Sequence, residues 1–334
     1  MMYKNLSSDK AKSKWVDNLM GRLTLEQKVG QLMVFGFAGP FITPHVVELI
    51  TKYHVGGLRI AQKFHGGTAE GRRGNKNNGS YKQFNMNTYS RPSGLNTKRI
   101  NCTPEEYAEV LNTLRDYAME RKDGISLHFV YDQEGEGTDF LFNQRLFPYP
   151  MGLTASGDPS LAYRVALAAG RQARALGANM IHSPVLDVNT NPKNPEIGPR
   201  AYSDRQDVVV KYALQSLKGY SEAGIICTGK HFPGRGESEQ DAHFSLPVVN
   251  MSREELMKTH VAPYKVLIEA GLPAVMAAFT AYPALSGEEI PGAPSHKIIT
   301  GLLREELEFQ GVVTTDNIQM KGLLSKYELE EAVV

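Results

Sequence analysis

Residues 229–247 read GKHFPGRGESEQDAHFSLP, the densest concentration of reactive side chains in the chain. An apolar run, Gly224, Ile225, Ile226 and Cys227, leads into the stretch as a buried strand would, and Pro233, Gly234 and Gly236 then force a loop. Lys230 and His231 are therefore expected at a strand end, with Asp241 and His243 on the loop beyond. On an extended backbone residues two apart point the same way, so Asp241 can orient the His243 imidazole and raise its basicity. The residues alone leave two readings open: a proton-transfer dyad, or a surface loop with an incidental ion pair.

Outward from this stretch the chain alternates strand and helix. Thr24 to Gln27 forms a capping box for a short helix, and the apolar run over residues 29–37 turns into a first strand. Residues 56–60 supply a second strand. Thr103 and Pro104 open a helix to about Lys122, and residues 127–131 form a third strand ending at Asp132. Asp158 and Pro159 cap a helix to about Leu176, followed by a fourth strand over 178–188. A helix over 205–223 feeds the opening stretch. Ser252 to Glu255 is a further capping box, its helix running to about Ala270, and residues 273–281 make a sixth strand. A helix over 297–308 precedes a seventh strand, 311–315, ending at Asp316.

Polar residues gather where these strands end: Asp132 and Glu134, Asp187, Lys230 and His231, and Asp316. A parallel barrel brings such ends together on one face, whereas an open doubly wound sheet draws on one switch point. The expected fold is therefore α/β, a TIM-type (β/α)8 barrel, incomplete because the chain ends before an eighth strand. An open barrel exposes strand edges, so a second chain or domain is expected to complete it. Residues 1–22 are read as a lead-in and 23–334 as one barrel domain, with a long loop at about 61–101. Between residues 63 and 99 that loop carries eight basic side chains against Glu70 alone.

The 334 residues hold 37 basic and 36 acidic side chains, a balance that argues against nucleic-acid or anionic-membrane partners. No apolar run reaches the length of a membrane span, and the first residues lack a signal-peptide core. Two cysteines, Cys102 and Cys227, cannot build a disulfide framework, and a reducing cytoplasm is expected.

A carboxylate such as Asp316, facing a pocket that also holds Lys230, His231, Arg200 and Asp132, suits covalent catalysis on a carbohydrate. Its bland alternative is a helix cap. A metal site using His231, His243, Asp241 and Glu237 lacks the spacing of known ligand motifs, and no metal is expected. At these residues the chain resembles glycoside hydrolase family 3, especially its β-N-acetylhexosaminidase branch. Residues 229–247 resemble that family's signature loop, YDQEG (131–135) its stretch after strand three, SPVLDVNTNPKNPEIGPRAYSD (183–204) its stretch after strand four, and GVVTTDNIQM (311–320) its nucleophile strand.

The resemblance implies that Asp316 is the nucleophile and that His243, paired with Asp241, is the general acid/base. It implies that Asp132, Arg200, Lys230 and His231 bind sugar hydroxyls, that Met320 lines the same subsite, and that the mechanism is retaining, with no cofactor. The expected activity is a retaining exo-β-glycosidase acting on a terminal β-linked N-acetylglucosaminide or glucoside. A glycoside phosphorylase and a non-catalytic carbohydrate-binding subunit are the alternatives. The chain departs from the family at Glu136 to Thr138 and Phe140, where arginines of the sugar subsite usually stand. It departs also at Arg235 and Phe279, usually histidines, and at Asn317, usually aspartate. These departures leave the sugar and linkage open.

Overall fold

The computed structural model describes residues 9–61, 103–135 and 147–333. The basic loop at 63–99, Cys102 and the departures at 136–140 lie outside the described residues. Those described fall into two compact units, one holding residues up to Tyr131 and the other residues from Asp132 onward.

In the first unit, α1 (Asp9–Arg22) precedes α2 (Leu25–Leu32), β1 (Val34–Ala38), α3 (Pro44–Thr51), β2 (Gly57–Ala61), α4 (Pro104–Met119) and β3 (His128–Asp132). Thr24 closes its capping box with Gln27, which commits Val29 and Leu32 to α2 and shortens the expected first strand to Val34–Ala38. Helix α3 was not foreseen, although Thr43 caps it and Pro44 stands at its first position. Strand β1 pairs in parallel with β2, Val34 opposite Gly57, and β2 with β3, Gly57 opposite His128. The core is Ile50, Leu58, Ile60, Tyr107, Leu111, Leu114, Phe129 and Val130. One buried cation interrupts it. Arg121 donates to the carbonyls of Ile50 and Val55, both at 3.2 Å, and pairs with Asp123, which also meets His54 Nδ1 at 2.6 Å.

The second unit continues with α5 (Pro150–Ala155), α6 (Pro159–Leu176), β4 (Met180–His182), α7 (Gln206–Glu222), β5 (Ile226–Phe232), α8 (Arg253–Leu256), α9 (Ala262–Glu269), β6 (Ala274–Ala277), α10 (Pro283–Ser286), β7 (Val312–Thr315), α11 (Lys321–Leu324) and α12 (Leu329–Ala332). A π-helical turn, Met257–Val261, joins α8 to α9, and the helix expected before β7 is a π-helical run, Lys297–Glu306. Strands pair in parallel and in chain order: Met180 opposite Ile226, Thr228 opposite Ala274, Ala274 opposite Val312.

Strand four is shorter than the expected 178–188. Pro184 has no N–H to give, so beyond His182 the chain runs irregularly, its Ser183 and Pro184 carbonyls accepting from the Thr228 and Lys230 amides at 2.8 and 3.1 Å. Strand β5 starts at Ile226, two residues later than its apolar run, because Gly224 turns the chain at a φ of +71°. Cys227 is a free buried thiol on β5, and burial pushes it up to about 12, leaving it unreactive at neutral pH.

Candidate active site

The second unit gathers its charged residues at the C-terminal ends of its strands and on the loops that follow. The deepest group surrounds Lys230, near the end of β5 and 2% exposed. Its ammonium meets Asp132 Oδ1 at 2.7 Å and also contacts Glu134. Arg200, closing the short helical turn Gly198–Arg200, donates from Nη2 to Glu134 Oε1 at 2.9 Å, and His182 Nδ1 lies 3.4 Å from Asp132. Burial alone would raise the Glu134 carboxyl, but Arg200 and Lys230 outweigh it and hold Glu134 well below the usual carboxylate range. Burial would likewise lower Lys230, yet Asp132 and Glu134 raise it, so Lys230 and Glu134 remain charged at neutral pH.

His231 is held in one tautomer. Its Nδ1 lies 2.7 Å from Asp187 Oδ2, and its Nε2 lies 3.4 Å from Arg200 Nη2. Burial, then the cations Arg235, Arg200 and Lys230, push the imidazole well below its ordinary value. A neutral ring satisfies both contacts only with the proton on Nδ1, facing Asp187, and with Nε2 accepting from Arg200. Burial raises Asp187 to about 6 against the pull of Arg235. Its two oxygens also take the His231 amide at 3.2 Å and the Arg235 amide at 2.7 Å, pinning the turn after β5.

That turn needs glycine. A side chain on Gly236 would place its Cβ 1.8 Å from the Val188 carbonyl, and Gly234 has a φ of +120°. The loop beyond carries Asp241 and His243, the pair expected from their spacing. His243 Nδ1 meets Asp241 Oδ1 at 2.7 Å, and the His243 amide donates to the same carboxylate oxygen at 2.8 Å. Burial would lower His243, but Asp241 and then Glu196 raise it, while His243 in turn holds Asp241 down against burial. At 40% exposure the imidazole is the most accessible of the ionisable groups here.

Asp316 follows β7 directly. Its amide donates to Ala277 on β6 at 3.1 Å, Oδ1 accepts from the Asn317 amide at 2.8 Å, and Oδ2 accepts from Arg235 Nη1 at 3.4 Å. Met320 is set apart from these charges. It is 2% exposed in an apolar cluster with Ala242, Phe279 and Leu323, so it backs the Asp241 and His243 loop. Phe279, at the position where the family usually has histidine, belongs to the same cluster.

Asp132, Arg200, Lys230 and His231 are thus brought into one network, Asp241 and His243 into a pair, and Asp316 is tied to both through Arg235. Glu134 and Asp187, which the sequence places at strand ends, join these groups without an assigned role, and Glu196 joins them with no mark in the sequence. Glu196 lies in an irregular loop with no periodicity to mark it. Glu196, Asp241 and His243 bring donor atoms within 4.8 Å of one another, the arrangement among the described residues nearest to a metal-ligating set. Glu196 is already paired with Arg235, and His243 Nδ1 with Asp241.

The glycosyl hydrolase family 3 N terminal domain model matches residues 24–334, and the chain belongs to that family. Beta-hexosaminidase A of Pseudoalteromonas piscicida is 33% identical over 244 residues, covering 67% of this chain and 40% of its own length. A beta-N-acetylglucosaminidase/beta-glucosidase of Cellulomonas fimi is 32% identical over 192 residues, 55% of this chain and 34% of its own. The solved family 3 beta-N-acetylglucosaminidase from Paenibacillus sp. str. FPU-7 superposes with a TM-score of 0.78 at 34% identity, covering 92% of this chain and 52% of that one. The chain therefore spans about half or less of these relatives. Its fold is the TIM-type α/β barrel of the family, incomplete at seven strands among the described residues.

Proposed function

We propose that the protein is an exo-acting β-glycosidase that hydrolyses a terminal β-linked sugar with retention, through a covalent intermediate on Asp316. The observation that carries this is the link between Asp316 and the Asp241 and His243 pair within one charged cluster, in a chain whose named relatives are hexosaminidases and glucosidases.

In the first step an Asp316 carboxylate oxygen bonds to the anomeric carbon. The bond to the aglycone oxygen breaks, and that oxygen takes the proton from His243 Nε2. In the second step water bonds to the anomeric carbon, gives a proton to His243, and releases Asp316 as carboxylate. Asp241 holds the Nδ1 side of the ring throughout, which directs Nε2 at the reacting oxygens. Asp132 and Arg200 offer hydroxyl-binding groups, with Lys230 and His231 beneath them fixing where those groups point. The sign of the pH dependence follows from the raised His243. The acid form needed in the first step persists above the ordinary imidazole value, and kcat/KM falls as pH rises through the raised value.

The same proposal keeps the protein in the cytoplasm and sets a further chain or domain against β7, whose Val312 is 57% exposed. Native mass spectrometry tests the partner, and cell fractionation the compartment. Asp316→Ala, assayed on nitrophenyl β-N-acetylglucosaminide, β-glucoside and β-xyloside, tests the chemistry. Loss of turnover with the fold intact is expected, and activity near wild type would remove Asp316 from its role. Sugar-1-phosphate formed in place of free sugar when phosphate is added would turn the assignment toward a phosphorylase.

A further inference from the structure

The Arg235 guanidinium has no part in the steps above, yet it is 2% exposed and spends two nitrogens on two different catalytic elements. Nη1 donates to Asp316 Oδ2 at 3.4 Å, and Nη2 pairs with Glu196 Oε1 at 2.9 Å. That same Glu196 oxygen lies 3.4 Å from His243 Nδ1, and Glu196 Oε2 accepts from the amide of Ala242, between Asp241 and His243, also at 3.4 Å. Charge therefore alternates along an unbroken line: Asp316, Arg235, Glu196, His243, Asp241. Three separate segments supply it, the turn after β5, the loop between β4 and α7, and the end of β7. Asn194 stitches two of them together. Its Nδ2 donates to the Arg235 carbonyl at 2.8 Å while its Oδ1 takes the Glu196 amide at 2.9 Å.

The geometry points to Arg235 and Glu196 as positioning residues that couple the nucleophile to the acid/base, so that the state of Asp316 is transmitted to His243. This deepens the glycosidase reading and rests on its assignment of Asp316 and His243. The two steps of a retaining mechanism ask opposite things of one imidazole: it must give a proton first and take one afterwards. In the free protein Arg235 is shared between two carboxylates, which leaves Glu196 negative charge to spend on His243. Once Asp316 is esterified to the sugar its charge is gone. Arg235 then turns its whole charge on Glu196, Glu196 holds the imidazolium less well, and His243 becomes the acceptor that the second step requires. The charged groups facing His243 are Asp241 on its own loop, Glu196 from the loop before α7, and Asp316 after β7. Asp241 stands at the far end of this line, beyond His243 from Arg235, and holds the imidazole in both steps.

The test is a histidine NMR titration of His243 in the whole protein, free and after trapping with a 5-fluoro glycosyl fluoride, alongside the pH profile of kcat/KM on an aryl β-glycoside. In the wild type, trapping lowers the His243 titration midpoint, by less than the ~0.9 unit that a unit charge ~3.4 Å away gives in a water-like medium, because Asp316 acts through Arg235 and Glu196. In Glu196→Gln the free protein starts about one unit low, the basic limb of kcat/KM moves down with it, and the drop on trapping falls to less than half. Glu196→Gln leaves Arg235 buried with one partner, so the double variant Glu196→Gln/Arg235→Met, which removes both charges, is measured beside it, each checked by circular dichroism. A free-protein midpoint and a trapping drop within about 0.2 unit of wild type in both variants would overturn the coupling. A wild type that turns over no glycoside would overturn the catalytic reading instead, and the free-protein midpoints would still decide whether Glu196 acts on His243.

Discussion

Replacing Lys230 with methionine should cost the second unit stability in a way that depends on pH. Lys230 is the sole cation shared by Asp132 and Glu134 among the described residues, with Nζ 2.7 Å from Asp132 Oδ1 and in contact with Glu134. Met fills the space of the aliphatic stem, so the loss is electrostatic. Removing one partner of a buried ion pair costs about 3–5 kcal/mol. Glu134 keeps Arg200 at 2.9 Å, which places the expected loss near the lower end, about 3 kcal/mol at pH 7. Glu134 has a depressed folded-state value, so its contribution is present above the ordinary glutamate range and is lost as pH falls through the depressed one. In the variant that depression is smaller, and the carboxylates take up protons earlier as acid is added. The stability gap between wild type and variant should therefore narrow below about pH 4.5. Urea unfolding at pH 7 and at pH 4, followed by circular dichroism, gives both numbers. A loss under about 1 kcal/mol at pH 7, or an equal loss at the two pH values, would refute the assignment of Lys230 as the buried counter-ion.

Two further substitutions probe other levels of the structure. Gly236→Ala should lower both stability and activity, because its Cβ would stand 1.8 Å from the Val188 carbonyl and the turn carrying Arg235 would have to move; thermal melting and turnover measured together check this, and an unaffected melt would contradict the close approach. Arg121→Ala in the first unit leaves Asp123 with His54 but without its guanidinium partner, and the Ile50 and Val55 carbonyls without their donor, an expected loss of about 3 kcal/mol read by denaturant unfolding, with little change if the guanidinium is only packing.

The parts of this fold that were legible are those fixed by neighbours in sequence. Thr24, Thr103 and Ser252 announce their helices because a capping box closes within four residues, and each is present. Asp241 and His243 were legible for the same reason, being two residues apart. Short elements such as α3, α5 and α10 were missed, since a helix of one or two turns has little room for an apolar period. Strand four was overextended because its apolar run continues past Pro184, where hydrogen bonding gives out. The partners of Arg200 and Arg235 were beyond reach altogether. Glu134 and Arg200 are 66 residues apart, Arg235 and Asp316 are 81, and nothing in a local pattern says which strand ends will face one another. Met320, which the resemblance alone assigned to the sugar subsite, is buried in the apolar cluster with Ala242, Phe279 and Leu323.

That cluster bears on how the proposed acid/base His243 stays in register with the proposed nucleophile Asp316. The loop carrying Asp241 and His243 leaves β5 through the turn that Asp187 pins. It has further fixings: Ala242 packs against Phe279, Met320 and Leu323, and its carbonyl accepts from the Gly322 amide at 2.8 Å. Met320 and Gly322 belong to the turn that follows Asp316, and the Met320 amide in turn donates to the Asn317 carbonyl at 2.9 Å. The loop of Asp241 and His243 is thus attached to the segment of Asp316 by apolar packing and one backbone hydrogen bond, and to Arg235 by the charge of Glu196. Catalysis that splits its work between two elements depends on their separation more than on either position, and for the proposed pair Asp316 and His243 that separation is set by Ala242, Met320, Gly322, Arg235 and Glu196.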